Sequence, residues 1–243
     1  MLGAGRLTGR AALVPPLLLS LVLSLVLSLC GCGALANIGA PSHTLPAKSF
    51  TVKSPVTALV IGGGSGSITV TGSAGPGVVV GQQTSYAKTP PSATHVLRGT
   101  TLTLSYTCPA ELVCGVSYTV RVPSGVSVSV SAGAGAITLS SLTGPVNARA
   151  DAGLITAVGL GSATAIFTSD AGGVTATFSA APRSVSASTT VGPISLTVPG
   201  TVPYKVSTHT YVGTSTVTVG ESATSAHVIH ASSDLGSISI SPA

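Results

Sequence analysis

The 243-residue chain has no tryptophan and a single methionine, and it carries only five carboxylate side chains. Charged residues make up 6% of it and aromatics 3%. Each scarcity excludes something. A nucleic-acid-binding face needs Lys and Arg clustered on one side, often with aromatics between them, and here the basic residues stand singly. Acid–base chemistry at a sugar needs two carboxylates flanking the scissile bond, yet Glu111, Asp151, Asp170, Glu221 and Asp234 are scattered. No Gly-x-Ser-x-Gly elbow occurs between a strand and a helix. The run Gly62-Gly-Gly-Ser-Gly66 lacks the Lys-Ser/Thr and the helix of a phosphate loop, so it reads as a turn between two strands. A non-enzymatic chain without a cofactor is the expectation.

The N-terminus is richer in signal. After Arg6 and Arg10 no charge occurs until Lys48, and Leu17 to Leu29 is almost pure Leu, Val and Ser. A short basic region before such a core is a secretory signal. A transmembrane helix over 11–36 would also be long enough, and the end of the run separates the two. Leu29-Cys30-Gly31-Cys32 resembles a bacterial lipobox, with Leu29 at −3 and Gly31 at −1 of Cys32. The resemblance implies removal of residues 1–31 as a lipoprotein signal peptide and acylation of Cys32 (palmitate among the chains). Two acyl chains hold a protein at a membrane stably. The expected location is the cell membrane, on its extracytoplasmic face. Counted from Cys32, eight Lys/Arg face five acids, a net charge of +3.

Cys108 and Cys114 remain, and outside the cytoplasm such a pair usually oxidises. Leu102, Leu104, Tyr106 and Cys108 alternate along one segment, and Cys114, Val116, Tyr118 and Val120 along the next. A hairpin turning through Pro109 to Val113 would make the cysteines cross-strand neighbours, within disulfide reach. Two buried free thiols are the alternative.

Residues 33–52 lack periodicity and read, from Cys32, as a flexible tether. From residue 53 onward, apolar residues alternate with Ser and Thr at period two, and Gly, Pro or Asp punctuates the runs. That is the strand signal. A Gly-x-[Ile/Val/Ser] signature recurs at Gly135, Gly153, Gly172, Gly192, Gly213 and Gly236, at steps of 18, 19, 20, 21 and 23 residues. Recurrence at twice the turn spacing predicts stacked equivalent coils. The expectation is one all-β domain over 53–243, a single-domain β-solenoid, with a β-sandwich as the alternative. Ala148, Ala157, Ala165 and Ala176 are small enough for a narrow coil interior.

Three features together resemble the bacterial putative-adhesin β-strand-repeat family of unknown function. They are the pair Leu59-Val-Ile-Gly and Gly66-Ser-Ile-Thr-Val70, the strand Tyr118-Thr-Val-Arg-Val-Pro-Ser-Gly125, and the Gly-x-Ile run through Ile240. The resemblance covers roughly residues 56 to 241 and implies a right-handed β-helix-like stack without catalytic residues. It implies a role in adhesion or surface binding. The outward Ser/Thr ladders would form a flat, nearly uncharged surface, for which a cell-wall polysaccharide or a surface protein is the expected partner, and the singly spread charges point to no nucleic acid. A ligand-binding or sensory envelope lipoprotein is the alternative, with a pocket lined by Tyr86, Tyr106 or Tyr204. A carbohydrate-active β-helix enzyme is a further alternative.

RADAGLITA (149–157) and TSDAGGVTA (168–176) place Asp151 and Asp170 two residues before a repeat glycine. In adjacent coils they would lie about one strand spacing apart, ~4.8 Å. They are expected to cap their turns, and are the weak candidates for a cation site. His227 and His230 fall on opposite faces of a strand, while His43, His95 and His209 stand alone, so no histidine metal site is expected.

Overall fold

The computed structural model describes residues 42–109 and 113–243. The expected signal segment, Cys30, Cys32, Glu111 and most of the expected hairpin turn lie outside the described residues.

Period-two alternation becomes strand throughout. The first strands are β1 (His43–Thr44), β2 (Lys48–Val52), β3 (Ala58–Ser65), β4 (Ile68–Ser73), β5 (Val78–Tyr86), β6 (Ser92–Arg98), β7 (Thr101–Thr107) and β8 (Cys114–Pro123). The repeats follow as β9 (Ser127–Ala134), β10 (Ile137–Ser140), β11 (Val146–Ala152), β12 (Ile155–Leu160), β13 (Thr164–Ala171), β14 (Val174–Phe178), β15 (Ser184–Val191) and β16 (Ile194–Val198). The chain ends with β17 (Lys205–Val212), β18 (Ser215–Val217), β19 (Val228–Leu235) and β20 (Ile238–Pro242).

Two sheets share these strands. One runs β1-β5-β8-β4-β10-β12-β14-β16-β20-β18, with β2 also on β5; the other runs β17-β19-β15-β13-β11-β9-β3-β7-β6. From β9 to β16 the chain alternates between the sheets at every strand, and each strand pairs in parallel with the one two places on. Ile137 therefore sits beside Ile155, Ile155 beside Val174, and Val174 beside Ile194. The two sheets face each other over one apolar core, as in a sandwich, while the chain winds through them in stacked coils.

What closes each coil is a glycine. Gly135, Gly153, Gly172 and Gly192 have φ between 146° and 156°, in the region that side-chain-bearing residues rarely adopt. A Cβ added to Gly153 would penetrate the carbonyl of Gly135, and one on Gly172 the carbonyl of Gly153. The coils touch backbone to backbone at this corner, so only hydrogen fits.

The interior is filled by residues of the size that the coil permits. Ala148, Ala157, Ala165 and Ala176 are all fully buried, beside Val, Ile and Leu from both sheets. Burying one Val, Ile or Leu stabilises by roughly 1.5–3 kcal/mol, and successive coils present such residues in register.

The order of coils in space departs from the order in the chain. β16 pairs not with β18 but with β20, and β18 lies outside β20; likewise β19 separates β15 from β17. The side chains give the reason. The β19–β20 coil points Ile229, Ala231, Ile238 and Ile240 inward, all buried. The β17–β18 coil points Val206, Thr208, Thr210 and Val217 inward, and these stay half-exposed. An apolar coil gains more from neighbours on both sides, and a polar one serves as the terminal cap. At the other end Gly66 joins the corner column beside Gly135, and β3 and β4 lie between β7–β8 and β9–β10.

Two local expectations need correction. β7 and β8 do not form a hairpin: β7 pairs with β6 and β3, whereas β8 pairs with β5 and β4 in the opposite sheet. Leu102, Leu104, Tyr118 and Val120 meet across the core rather than along a ladder. The disulfide between Cys108 and Cys114 is present all the same, with Cα atoms 5.8 Å apart, and links the two sheets. The tether assignment fails over its last part, since β1 and β2 both pair antiparallel with β5. Phe50 of β2 stacks on His95 of β6 with ring centroids 4.3 Å apart, spanning the sheets at this end.

Gly172→Ala should lower the unfolding free energy by at least ~2 kcal/mol in urea denaturation. Gly75→Ala, where a Cβ meets nothing within 4 Å, should change it by less than about 0.5 kcal/mol. Reducing the Cys108–Cys114 bridge opens a short loop and should cost about 2 kcal/mol in the same assay.

Candidate binding face

Parallel register converts a repeated strand sequence into rows of like side chains across a sheet. On the sheet containing β4, β10, β12, β14, β16 and β20, the outward residues after the corner are Thr69, Thr138, Thr156, Thr175, Ser195 and Ser239, one beside the next. Thr119 extends the row at one end and Thr216 at the other. Two residues further along the strands, Thr71, Ser140 and Val158 form one part of a second row, and Thr177, Thr197 and Ser241 another. A register shift at Val158–Gly159 separates these two parts, and there the Gly159 amide donates to the Thr177 hydroxyl at 2.9 Å.

Successive hydroxyls in a row are about 4.8 Å apart, and the rows are separated by two strand residues, roughly 6.7 Å. Across these six strands the outward positions carry no charge, amide or aromatic ring, and only Val158 and Gly159, at the register shift, lack a hydroxyl; exposed Arg121 of β8 borders the second row beside Thr71. Most of the hydroxyls are half-buried by their neighbours, and Ser140 donates to Thr71 at 3.1 Å. The face is thus a neutral, regularly spaced array whose geometry is fixed by the coil stack.

The opposite sheet is chemically mixed. Its outward rows include Asn147, Arg149, Ile166, His209 and His230 between serines and threonines. Asp151 and Asp170 lie on this side, at the corner. Arg149 Nη2 donates to Asp170 Oδ2 at 2.7 Å and lies 3.1 Å from Asp151 Oδ1, with all three side chains roughly half exposed. One guanidinium therefore bridges both carboxylates and offsets their mutual repulsion. Arg149 precedes Asp151 by two residues on one strand face, and that spacing was the available sequence signal. Among the described residues no three His, Cys, Asp or Glu side chains are placed to share a metal ion.

The corner capping expected of the aspartates falls instead to inward hydroxyls. Buried Ser169 donates to the Gly153 carbonyl at 3.1 Å, and buried Ser233 to that of Gly192 at 3.0 Å. Thr189 also donates to Gly192. Asp234 and Glu221 are exposed.

The three tyrosines do not line a common pocket. Tyr86 packs its ring near His43, and Tyr106 donates its hydroxyl to the Ser65 carbonyl. Tyr204 is buried and donates to the Pro199 carbonyl at 2.8 Å; burial raises its pKa. It forms part of an open cavity of about 300 Å³ with Lys205, Val206, Glu221, Ser222 and Ala223. Tyr118, in the core, is pushed up to about 12 by burial and by neighbouring Tyr106. These phenols serve packing.

No protein-family model matches the chain, and no curated protein matches its sequence. Solved structures do resemble it. A putative cell adhesion protein from Clostridium sporogenes matches with a TM-score of 0.50 at 12% identity, covering 82% of this chain and all of its own. A putative adhesin from Bacteroides fragilis matches with a TM-score of 0.46 at 14% identity, covering 82% of this chain and 97% of its own. The Clostridium likeness shows a shared all-β fold.

Arg149→Ala should destabilise the domain by less than about 1 kcal/mol in thermal or urea unfolding. The loss should shrink further as salt is raised, because all three groups are exposed to screening.

Proposed function

We propose that this chain is a non-catalytic surface-binding protein, anchored by lipid on Cys32 to the outer side of a cell membrane, that attaches to a neutral cell-wall polysaccharide. The observation that carries the reading is the array of Ser and Thr hydroxyls across β4, β10, β12, β14, β16 and β20. A neutral face gains nothing from an anionic or cationic polymer. A hydroxyl array can exchange hydrogen bonds with sugar hydroxyls, each worth a net ~0.5–1.5 kcal/mol. One such bond is weak, so attachment needs a long repeating partner that engages many at once.

The Cys108–Cys114 bridge supports an oxidising, extracytoplasmic setting. Adhesion, the role in the Clostridium protein's name, is the form of surface binding this reading takes. Catalysis finds no support in the acids: Asp151 and Asp170 are tied to Arg149, while Asp234 and Glu221 stand elsewhere on the surface. The ligand-binding alternative would use the cavity beside Tyr204 and would be recognised by loss of binding in Lys205→Ala or Glu221→Ala.

The protein should co-sediment with an insoluble neutral polysaccharide such as cellulose, chitin or purified cell wall, with little dependence on salt. Thr156→Lys with Thr175→Lys should reduce the bound fraction at least tenfold without lowering the melting temperature by more than a few degrees. Unchanged binding in that variant, or binding abolished by moderate salt, overturns the assignment to this face. Cys32→Ala should move the protein from the membrane fraction to the soluble one, and continued anchoring would sink the lipoprotein reading.

A further inference from the structure

The exchange of coil order at the C-terminal end brings together two histidines that are 21 residues apart in sequence. His209 lies on β17 and His230 on β19, adjacent strands of one sheet. In register, His230 stands beside Ser207, and His209 beside Ser232. The two imidazoles are therefore diagonal neighbours on the outer face, with backbones roughly 7–8 Å apart, a separation that long side chains span. Both are exposed, and both line one cleft of about 140 Å³ together with Ser186, Ser207 and Ser232.

The other histidines are differently engaged. His227 Nδ1 is 2.7 Å from the Pro182 carbonyl oxygen, His95 stacks on Phe50, and His43 packs near Tyr86. The exposed His209 ring packs T-shaped with Tyr211, at 4.8 Å between centroids, and lines the cleft. β17 is the last strand of its sheet, so no further strand crowds that side.

We infer that His209 and His230 form a surface site for a divalent first-row transition ion, Cu²⁺ above all. Imidazole nitrogen suits copper, nickel and zinc, and among these Cu²⁺ binds a given nitrogen site most tightly. Two imidazoles supply half of a four-coordinate shell, and water completes it in a cleft that Ser186, Ser207 and Ser232 also line. Lys205 and Tyr211 on β17 and Asp234 on β19 are the charged or titratable neighbours on these strands; β15 contributes only Ser186 and Ser188 beside the pair. The site is independent of the hydroxyl array, which lies on the other sheet.

Cu²⁺ titrated into the purified full chain in detergent, followed by calorimetry, should show one ion bound per chain. His209→Ala and His230→Ala should each weaken it at least tenfold, and the double variant should bind no better than either. Electron paramagnetic resonance of the bound Cu²⁺ should show two equatorial nitrogens in the parent and one in each single variant. Equal affinity in the parent and both single variants overturns the proposal. So does loss of the ion in His43→Ala/His95→Ala/His227→Ala, which would place it elsewhere. All of the substituted rings except that of His227 are well exposed, and a thermal melt of each variant confirms that the fold is retained.

Discussion

Everything regular in this molecule depends on a backbone contact at one corner of each coil. There a glycine of one coil lies against the carbonyl of the glycine in the coil beneath, too close for a Cβ. The contact sets the height of a coil at one strand spacing and forces the chain to turn into the opposite sheet at the same point each time. Both consequences pass to the side chains. Inward residues stack into a continuous core, and outward residues stack into rows. The buried hydroxyls of Ser169 and Ser233 satisfy the corner carbonyls, which removes the polar cost of bringing backbone so close.

A stack of coils has two ends, each an invitation to add strands. The two ends are closed differently. Toward the N-terminus, antiparallel strands and the Phe50–His95 stack cover the last coil, and the Cys108–Cys114 bridge ties the sheets together beside them. Toward the C-terminus the closing device is composition: the coil with Thr208 and Thr210 turned inward is placed outermost, and the more apolar coil that follows it in sequence is inserted beneath. The Ser215 hydroxyl donates to Thr208 at 2.8 Å and the Thr210 hydroxyl to the Gly236 carbonyl at 2.9 Å, so the inward hydroxyls of the cap are not left unpaired.

The same regularity makes the two faces unlike each other. One sheet repeats Thr and Ser at the outward positions of nearly every coil and becomes a uniform hydroxyl surface. The other varies its outward residues, so its chemistry is local: an arginine between two aspartates in mid-stack, and two histidines near the end. A uniform face suits an extended repeating partner, and a local cluster suits a single ion. Neither requires a deep cavity, which a narrow coil filled with Ala, Val and Ile has no room to form.

Much of this was legible in the chain itself. Period-two alternation gave the strands, the glycine ladder gave the coils and their height, and the isolated pair Cys108 and Cys114 gave the bridge, though not the hairpin through which it was expected to form. These are local properties, fixed by φ preferences and by which side of a strand a residue occupies. Three things were decided only in the folded structure. The sheet in which a strand pairs is one, since β7 and β8 alternate as a hairpin would yet face each other across the core. The order of the last two coils is another, because it follows from competition between Ile-bearing and Thr-bearing coils for a buried position. The partners of outward side chains are the third: Arg149 meets Asp170, and His209 and His230 come to line one cleft, because of strand register. Sequence determines what each coil can bury, whereas only tertiary packing determines which coil lies beside which, because that choice depends on the comparative burial of distant segments.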